Sequence, residues 1–221
     1  SLMVMTVNPT KHTTKIISIP RDTRTEIVGK NKIDKINHAF AFGGVQMTVN
    51  TVEKFLNIPI DYYVEVNMEG FRDIVDAIGG VEVNNTLDFT NDGVHFAEGL
   101  LNLNGKDALS FSRMRYEDPQ GDFGREARQR QIIEAVINKG KSIETLVGYK
   151  DILESIDKNV LTNFTLQEMF DIQKDYREAS ENIEQKQLLG AGTMIKGIYY
   201  YQVPEKNRLL LSNELREQLG L

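Results

Sequence analysis

The sequence predicts an α/β domain on three observations. Two apolar, β-branched runs at 3–8 and 14–19 have the composition and length of strands. Apolar residues recur at helical spacing at about 45–57 and about 125–139. Composition does not shift sharply anywhere in the 221 residues, and no repeat or low-complexity segment is evident, so one domain spanning 1–221 is expected.

The elements follow in order. Asn8-Pro9-Thr10-Lys11 reads as a turn, so the first two strands are expected to form a hairpin. Pro20 has no N–H for a ladder and ends the second strand. Arg21 and Asp22 then fall just past its C-terminal end, the edge at which open α/β sheets bind ligands. Residues 23–44 are polar and carry Lys30, Lys32 and Lys35 ahead of His38-Ala39-Phe40. Val45, Val49, Val52 and Leu56 make one face of the helix at 45–57. Residues 62–66 read as a strand. Phe71, Ile74, Val75 and Ile78 form the apolar face of a short helix that Gly79 stops. Val81-Glu82-Val83 is another strand, 84–104 read as loop, and a short helix at about 105–111 leads into an arginine-rich segment. The helix at 125–139 turns Ile132, Ile133, Val136 and Ile137 inward. Further helices are expected at 144–157 and 165–179, with closing strands at 194–203 and 208–211. Tyr199-Tyr200-Tyr201 reads as strand packing in preference to a sugar platform.

Composition narrows the chemistry. A net charge of -6 disfavours non-specific nucleic-acid binding, which needs basic surface. The absence of cysteine removes disulfides, thiolate metal sites and cysteine nucleophiles. His12, His38 and His95 are too far apart in sequence to show metal-ligand spacing, and no GxSxG, Walker or Rossmann fingerprint appears. No apolar run reaches the length of a membrane span and no signal peptide is visible. The chain begins inside an apolar run, which reads as a piece of something longer.

Against that acidic background, five arginines fall from Arg113 to Arg130. A local excess of guanidinium in an acidic chain points to a specific anion site. If 113–115 is extended, Arg113 and Arg115 face the same side roughly 7 Å apart and can span a phosphate or diphosphate. The alternative is a pair of surface arginines matched by Glu117, Asp118 and Asp122. On the following helix, Arg125 and Gln129 share the face of Ile132 and Val136; Arg128 lies at its edge and Arg130 well away from it. A half-buried arginine needs an anion, and the first turn of a helix favours one. Arg125 is therefore the better ligand candidate, the alternative being an ion pair with Asp22, Asp118 or Asp122. Lys32 and Lys35, taken alone, read as a solvated loop.

Together these stretches resemble the LytR-CpsA-Psr family of Gram-positive cell envelopes. The residues that carry the resemblance are Ile17-Ser18-Ile19-Pro20-Arg21-Asp22-Thr23, Lys35-Ile36-Asn37-His38-Ala39 with Gly43-Gly44, Val75-Asp76-Ala77-Ile78-Gly79-Gly80-Val81, Leu103-Asn104-Gly105 with Ala108-Leu109, and Arg113 to Gln131. They cover a core of about 3–139 in the family's order, leaving C-terminal helices and closing strands at 140–221.

The resemblance implies a mixed central sheet flanked by helices, with an apolar lipid-binding tunnel beside it. It implies a phosphotransferase that moves a glycopolymer, wall teichoic acid or capsular polysaccharide, from a polyprenyl diphosphate carrier to peptidoglycan. The product is a phosphodiester, and the carrier leaves as polyprenyl phosphate. Carried over by position, Arg21, Arg113, Arg115 and Arg125 bind the diphosphate, with Lys35 and Gln129 in support and Arg128 among the substrate contacts. Asp122 orients an arginine or acts as a base, and Asp22 orients its neighbours. Tunnel candidates are Phe40, Val49, Val52, Phe71, Ile74 and Val75. Magnesium or manganese is the implied cofactor. Its usual aspartate belongs to an Arg-x-Asp element ahead of residue 1, so no metal ligand is assigned. The family acts on the extracellular face of the cytoplasmic membrane, anchored by one helix ahead of this domain. A polyprenyl diphosphate pyrophosphatase, a non-catalytic lipid-binding protein and a transcriptional attenuator are the rival readings.

Overall fold

The computed structural model describes residues 1–140 and 158–221. These divide between a first unit, Ser1–Tyr63 with Glu181–Leu221, and a second, Val64–Ser180. The helix expected at 144–157 lies wholly within 141–157, outside the described residues.

In the first unit the predicted hairpin is present. Strand β1 (Leu2–Asn8) pairs antiparallel with β2 (Thr13–Ile19), Leu2 opposite Ile19 and Asn8 opposite Thr13. The far edge of β2 pairs in parallel with a strand near the other end of the chain, Asn182–Gln187, so the sheet is mixed with β2 at its centre. All seven residues of β2 are buried, as a central strand requires. One of them is Lys15, which is neutralised by Glu184 at 2.5 Å and Glu214 at 2.8 Å.

Residues 23–44 hold more structure than their polarity suggests. β3 (Arg24–Ile27) and β4 (Lys32–Lys35) form a hairpin, Arg24 opposite Lys35. α1 (His38–Leu56) follows and is broken at Gly43 and Gly44, so its body begins where the apolar spacing starts. Val52, Phe55 and Leu56 of α1 pack with Val4, Ile17, Ile19, Leu211 and Leu215 in one core.

The second unit begins with β5 (Val64–Val66) and α2 (Met68–Ala77). Asn67 caps α2 by accepting from Gly70 N at 2.7 Å. Gly79 and Gly80 end it with φ of +77° and +83°, and the Gly80 N–H returns to Val75 O. Next come β6 (Val81–Asn85), β7 (Phe89–Asn91), β8 (Val94–Phe96) and β9 (Gly99–Leu103). β6 pairs antiparallel with β9, and β7 with β8. The expected loop at 84–104 is thus mostly paired. Asp92 (φ +49°) and Gly93 (φ +77°) form the tight turn between β7 and β8.

α3 (Gly105–Arg113) and α4 (Asp122–Gly140) complete the core, which gathers Val75, Val83, Phe89, Phe96, Phe111 and Ile132. Gly105 permits the close approach of α2, because a Cβ there would lie 2.3 Å from Arg72 O. β10 (Val160–Thr162) pairs with β5, and α5 (Leu166–Asp175) follows, leading to a 3₁₀ turn at Arg177–Ser180.

The chain then returns to the first unit as β11 (Asn182–Gln187), β12 (Ala191–Ile195) and β13 (Ile198–Gln202). The closing strand at 194–203 proves to be part of a β12–β13 hairpin. The strand expected at 208–211 is instead helical, inside α6 (Glu205–Leu219). Leu211 and Leu215 are buried, whereas Leu210 is 60% exposed, so the burial follows a helical period.

Candidate active site

In the second unit the arginine segment joins α3 to α4. Arg113 is the last residue of α3, and Met114 leaves the helix with φ -54° and ψ 137°. The premise of an extended 113–115 therefore fails: Arg113 and Arg115 lie across a helix terminus, not along a strand. Asp118 then shapes the predicted turn. Its Oδ1 accepts from Gln120 N at 2.7 Å, and its carbonyl accepts from Gly121 N at 2.9 Å. Gly124 leaves room for it, since a Cβ there would lie 1.7 Å from the Asp118 carboxylate.

Arg128 holds this turn in place. It donates from Nε to Phe111 O at 3.1 Å, from Nη2 to Met114 O at 2.5 Å and from Nη1 to Asp118 Oδ2 at 2.5 Å. It is 7% exposed and its guanidinium lies 5.3 Å from the centre of the Phe89 ring. Arg128 was expected among the substrate contacts; all three of its nitrogens are engaged in fixing the end of α3 against α4. Gln129 donates to Ser112 O at 3.3 Å, a support of the same kind.

Arg115 and Arg125 meet at the N-terminus of α4. Asp122 is the first residue of that helix. Its Oδ1 lies 2.9 Å from Arg125 Nη2 and 3.4 Å from Arg115 Nε. One carboxylate oxygen thus lies within ion-pair distance of two guanidiniums, and the ion pair with Asp122 is the alternative to a ligand role for Arg125. The Arg125 side chain is 14% exposed and that of Arg115 is 45% exposed, a half-buried guanidinium beside an accessible one. Arg113 is exposed and makes no ion pair among the described residues. Two guanidiniums beside a helix N-terminus are an arrangement that can receive an anion.

Two further charges occupy the interior of α4. Arg130, expected well away from the apolar face, is only 7% exposed, because α4 buries more than one side. Glu126 is 4% exposed and its Oε2 accepts no hydrogen bond among the described residues. Burial pushes the Glu126 carboxyl above its ordinary value and Asp122 adds to the rise, while Arg130 and Arg125 oppose it. Asp122, Glu126 and Arg130 recur at four-residue spacing, which is the sequence signal that could have found Glu126.

The first unit has its own basic group. Thr23 closes the turn after β2 by donating from N (2.9 Å) and Oγ1 (2.6 Å) to Pro20 O. Asn37 N donates to Arg21 O, and Tyr201 N donates to Asp22 O at 2.8 Å. Asp22 then receives Lys35 Nζ at 2.7 Å and lies 3.7 Å from Arg21 Nε. It is thus ion-paired with both cations. Lys35 is not solvated: its side chain is 19% exposed. Next to it, burial disfavours ionised Asp34, but Lys32, His38 and the Lys35 N–H overcome this and hold its carboxyl at about 2.

The six tunnel candidates divide between the two units. Val52 belongs to the core of the first, Val75 to that of the second, and Phe71 packs on the latter. Val49 and Ile74 are half-buried, and Phe40 is 48% exposed.

Residues 1–217 match the sequence model of the LytR_cpsA_psr family. A Bacillus cereus protein named polyisoprenyl-teichoic acid–peptidoglycan teichoic acid transferase TagU is 58% identical over 220 residues, covering 99% of this chain and 73% of that protein. The crystal structure of TagU from B. subtilis is 49% identical with a TM-score of 0.80, covering 99% of this chain and 90% of that one. A structure from Enterococcus faecalis, described as a transcriptional regulator, is 41% identical with a TM-score of 0.94, covering 99% and 82%.

Proposed function

This chain belongs to the LytR-CpsA-Psr family, and we propose that it transfers a teichoic-acid-type glycopolymer from a polyprenyl diphosphate carrier to peptidoglycan. It is an enzyme of the transferase class. The observation that supports the site best is the convergence of Arg115 and Arg125 on Asp122 at the N-terminus of α4, with Arg113 left for an incoming anion.

The chemistry suits those residues. A hydroxyl oxygen of the acceptor forms a bond to the phosphorus that bears the polymer. The bond from that phosphorus to the bridging oxygen breaks, the hydroxyl proton is released, and polyprenyl phosphate departs. Negative charge builds on the departing phosphate, and fixed guanidiniums stabilise it there. Arg113, Arg115 and Arg125 are assigned to the diphosphate and Asp122 to positioning them. Arg21 and Lys35, oriented by Asp22, are assigned to phosphate contacts as well. Gln129 and Arg128 shape the arginine segment. Of the tunnel candidates, exposed Phe40 is the residue we assign to contact with the prenyl tail.

Magnesium or manganese enters as a cofactor on family grounds. Among the described residues no group of three or more His, Asp or Glu can hold a metal ion, and the Asp122 oxygen is already shared by two guanidiniums. The described residues do not make a metal site by themselves, and no step above passes through one. No helix among the described residues is long and apolar enough to cross a membrane. Action on the outer face of the membrane, with an anchoring helix outside these residues, is proposed from the family's substrates.

Incubation with a lipid-linked teichoic acid donor and peptidoglycan fragments tests the reading. A phosphodiester between polymer and muramic acid, together with prenyl phosphate, is the expected product. Free polymer phosphate with no acceptor product would establish a pyrophosphatase instead.

A further inference from the structure

We infer that Tyr200 forms the floor of a pyranose subsite, holding a sugar whose phosphate is bound by neighbouring Lys35. The inference rests on the proposed transfer reaction and adds a specificity determinant to it.

Three consecutive tyrosines on β13 have three different surroundings. Tyr201 is 3% exposed, and its hydroxyl donates to Leu188 O at 3.0 Å and accepts from Gly190 N at 2.6 Å. Tyr199 points to the same face, as residues two apart on a strand do. Its ring lies over Gly192, where a Cβ would come within 2.7 Å of it. Tyr200 is left on the opposite face, half-buried, with its ring centre 5.9 Å from Lys35 Nζ.

That position is fixed by the backbone. The turn holding Arg21 and Asp22 is bonded to β13 through Tyr201 N and Asp22 O at 2.8 Å and through the Thr23–Tyr201 bridge. Lys35 is held by Asp22 at 2.7 Å. An aromatic face is thereby presented next to an ordered ammonium group, with little freedom in either. An aromatic ring carries negative charge on its face and accepts the C–H face of a sugar ring, whereas the ammonium takes a phosphate oxygen. Sugar and phosphate are adjacent groups in a sugar-1-diphosphate, and a fixed aromatic–cation pair matches that adjacency. Tyr201 is a core residue and Tyr199, 46% exposed, lies against Gly192; Tyr200 alone of the three has an ordered cation beside its ring.

The test uses two soluble probes, farnesyl diphosphate and farnesyl diphosphate bearing N-acetylglucosamine on its terminal phosphate. In calorimetry, Tyr200→Ala should weaken the sugar-bearing probe about tenfold and leave farnesyl diphosphate within about twofold. Tyr200→Phe should retain both affinities, because the ring is kept. Tyr199→Ala should also retain both, since that ring faces Gly192. Equal loss of both probes in Tyr200→Ala would reduce the residue to a support for Lys35, and loss of neither would remove it from the site; either result overturns the inference. A wild-type protein that transfers polymer but binds the two probes equally overturns the inference alone. One that binds neither probe overturns the functional reading and the inference with it.

Discussion

Arginines of the segment 113–130 are held differently, and substitution should separate them. Arg128 is buried, with Asp118 and two carbonyls as partners. Arg128→Ala removes one member of a buried ion pair and should cost about 3–5 kcal/mol in urea denaturation. Arg128→Lys should recover little, because an ammonium cannot copy the planar fork that reaches three oxygens. Arg113, exposed and outside any ion pair among the described residues, is the opposite case. Arg113→Ala should lower turnover about 10²–10³-fold with Tm unchanged, in an assay with a lipid-linked donor. Arg125→Ala should lower turnover similarly. Helix geometry placed Arg125 on the Ile132 face and Arg128 at its edge, yet Arg128 is the more deeply buried of the two, and Arg125 makes the ion pair with Asp122 that was the alternative to a ligand role. The sequence could not show that α4 is covered on further sides, so the burial of Arg128 and Arg130 was invisible. Nor could it show that α3 runs to Arg113, because no turn residue marks its end before Pro119.

At the scale of elements, legibility followed apolar pattern. β1, β2, α2 and the body of α1 carry their periods openly and appear as expected. β11, Asn182-Ile183-Glu184-Gln185-Lys186-Gln187, has one apolar residue and no strand signal. Its edge is specified by β2 and by the charges of Lys15, Glu184, Lys186 and Glu214, none of which is adjacent in sequence. Arg208-Leu209-Leu210-Leu211 failed for the converse reason: a short apolar run fits strand or helix equally, and only Leu215 beyond it decides. Asp92-Gly93 is a two-residue hairpin signal, but 84–104 read as loop because the strands it joins are only three residues each. Helix α4 also makes a pH-dependent prediction. The raised Glu126 carboxyl favours the folded state fully below its ordinary value of 4.5, and that contribution is lost as pH rises through the folded value. Glu126→Gln, which cannot ionise, should therefore gain on the order of 1 kcal/mol over wild type at pH 8. The gain should disappear near pH 4, and urea denaturation across that range checks it. A variant less stable than wild type at pH 8 would show that the attraction of Arg125 and Arg130 outweighs burial.

At the scale of the molecule, the first unit is built from both ends of the chain. Its core joins Val4, Ile17 and Ile19 near one end to Leu188, Leu211 and Leu215 near the other, with the second unit's residues between them in sequence. Bringing such distant segments together carries a loop-closure cost that local hairpins escape, and it makes folding slow. The parallel pairing of β11 with β2 closes that loop, and α6 secures it. Gln218 donates to Thr13 O at 2.8 Å, Asn8 donates to Gln218 O at 2.5 Å, and Leu215 is fully buried. Leu215→Ala should consequently cost about 2–5 kcal/mol, the price of a cavity in a close-packed core. Its effect should also be distributed in a particular way. Hydrogen exchange should quicken together at 13–19 and 182–187, because neither strand keeps its partner once α6 loosens. Amides of β6 and β9 lie in the second unit's own core and should keep their protection at moderate destabilisation. Faster exchange spread evenly over both units would mean that they unfold as one cooperative body, and the division of the chain into two units would then have no counterpart in its energetics.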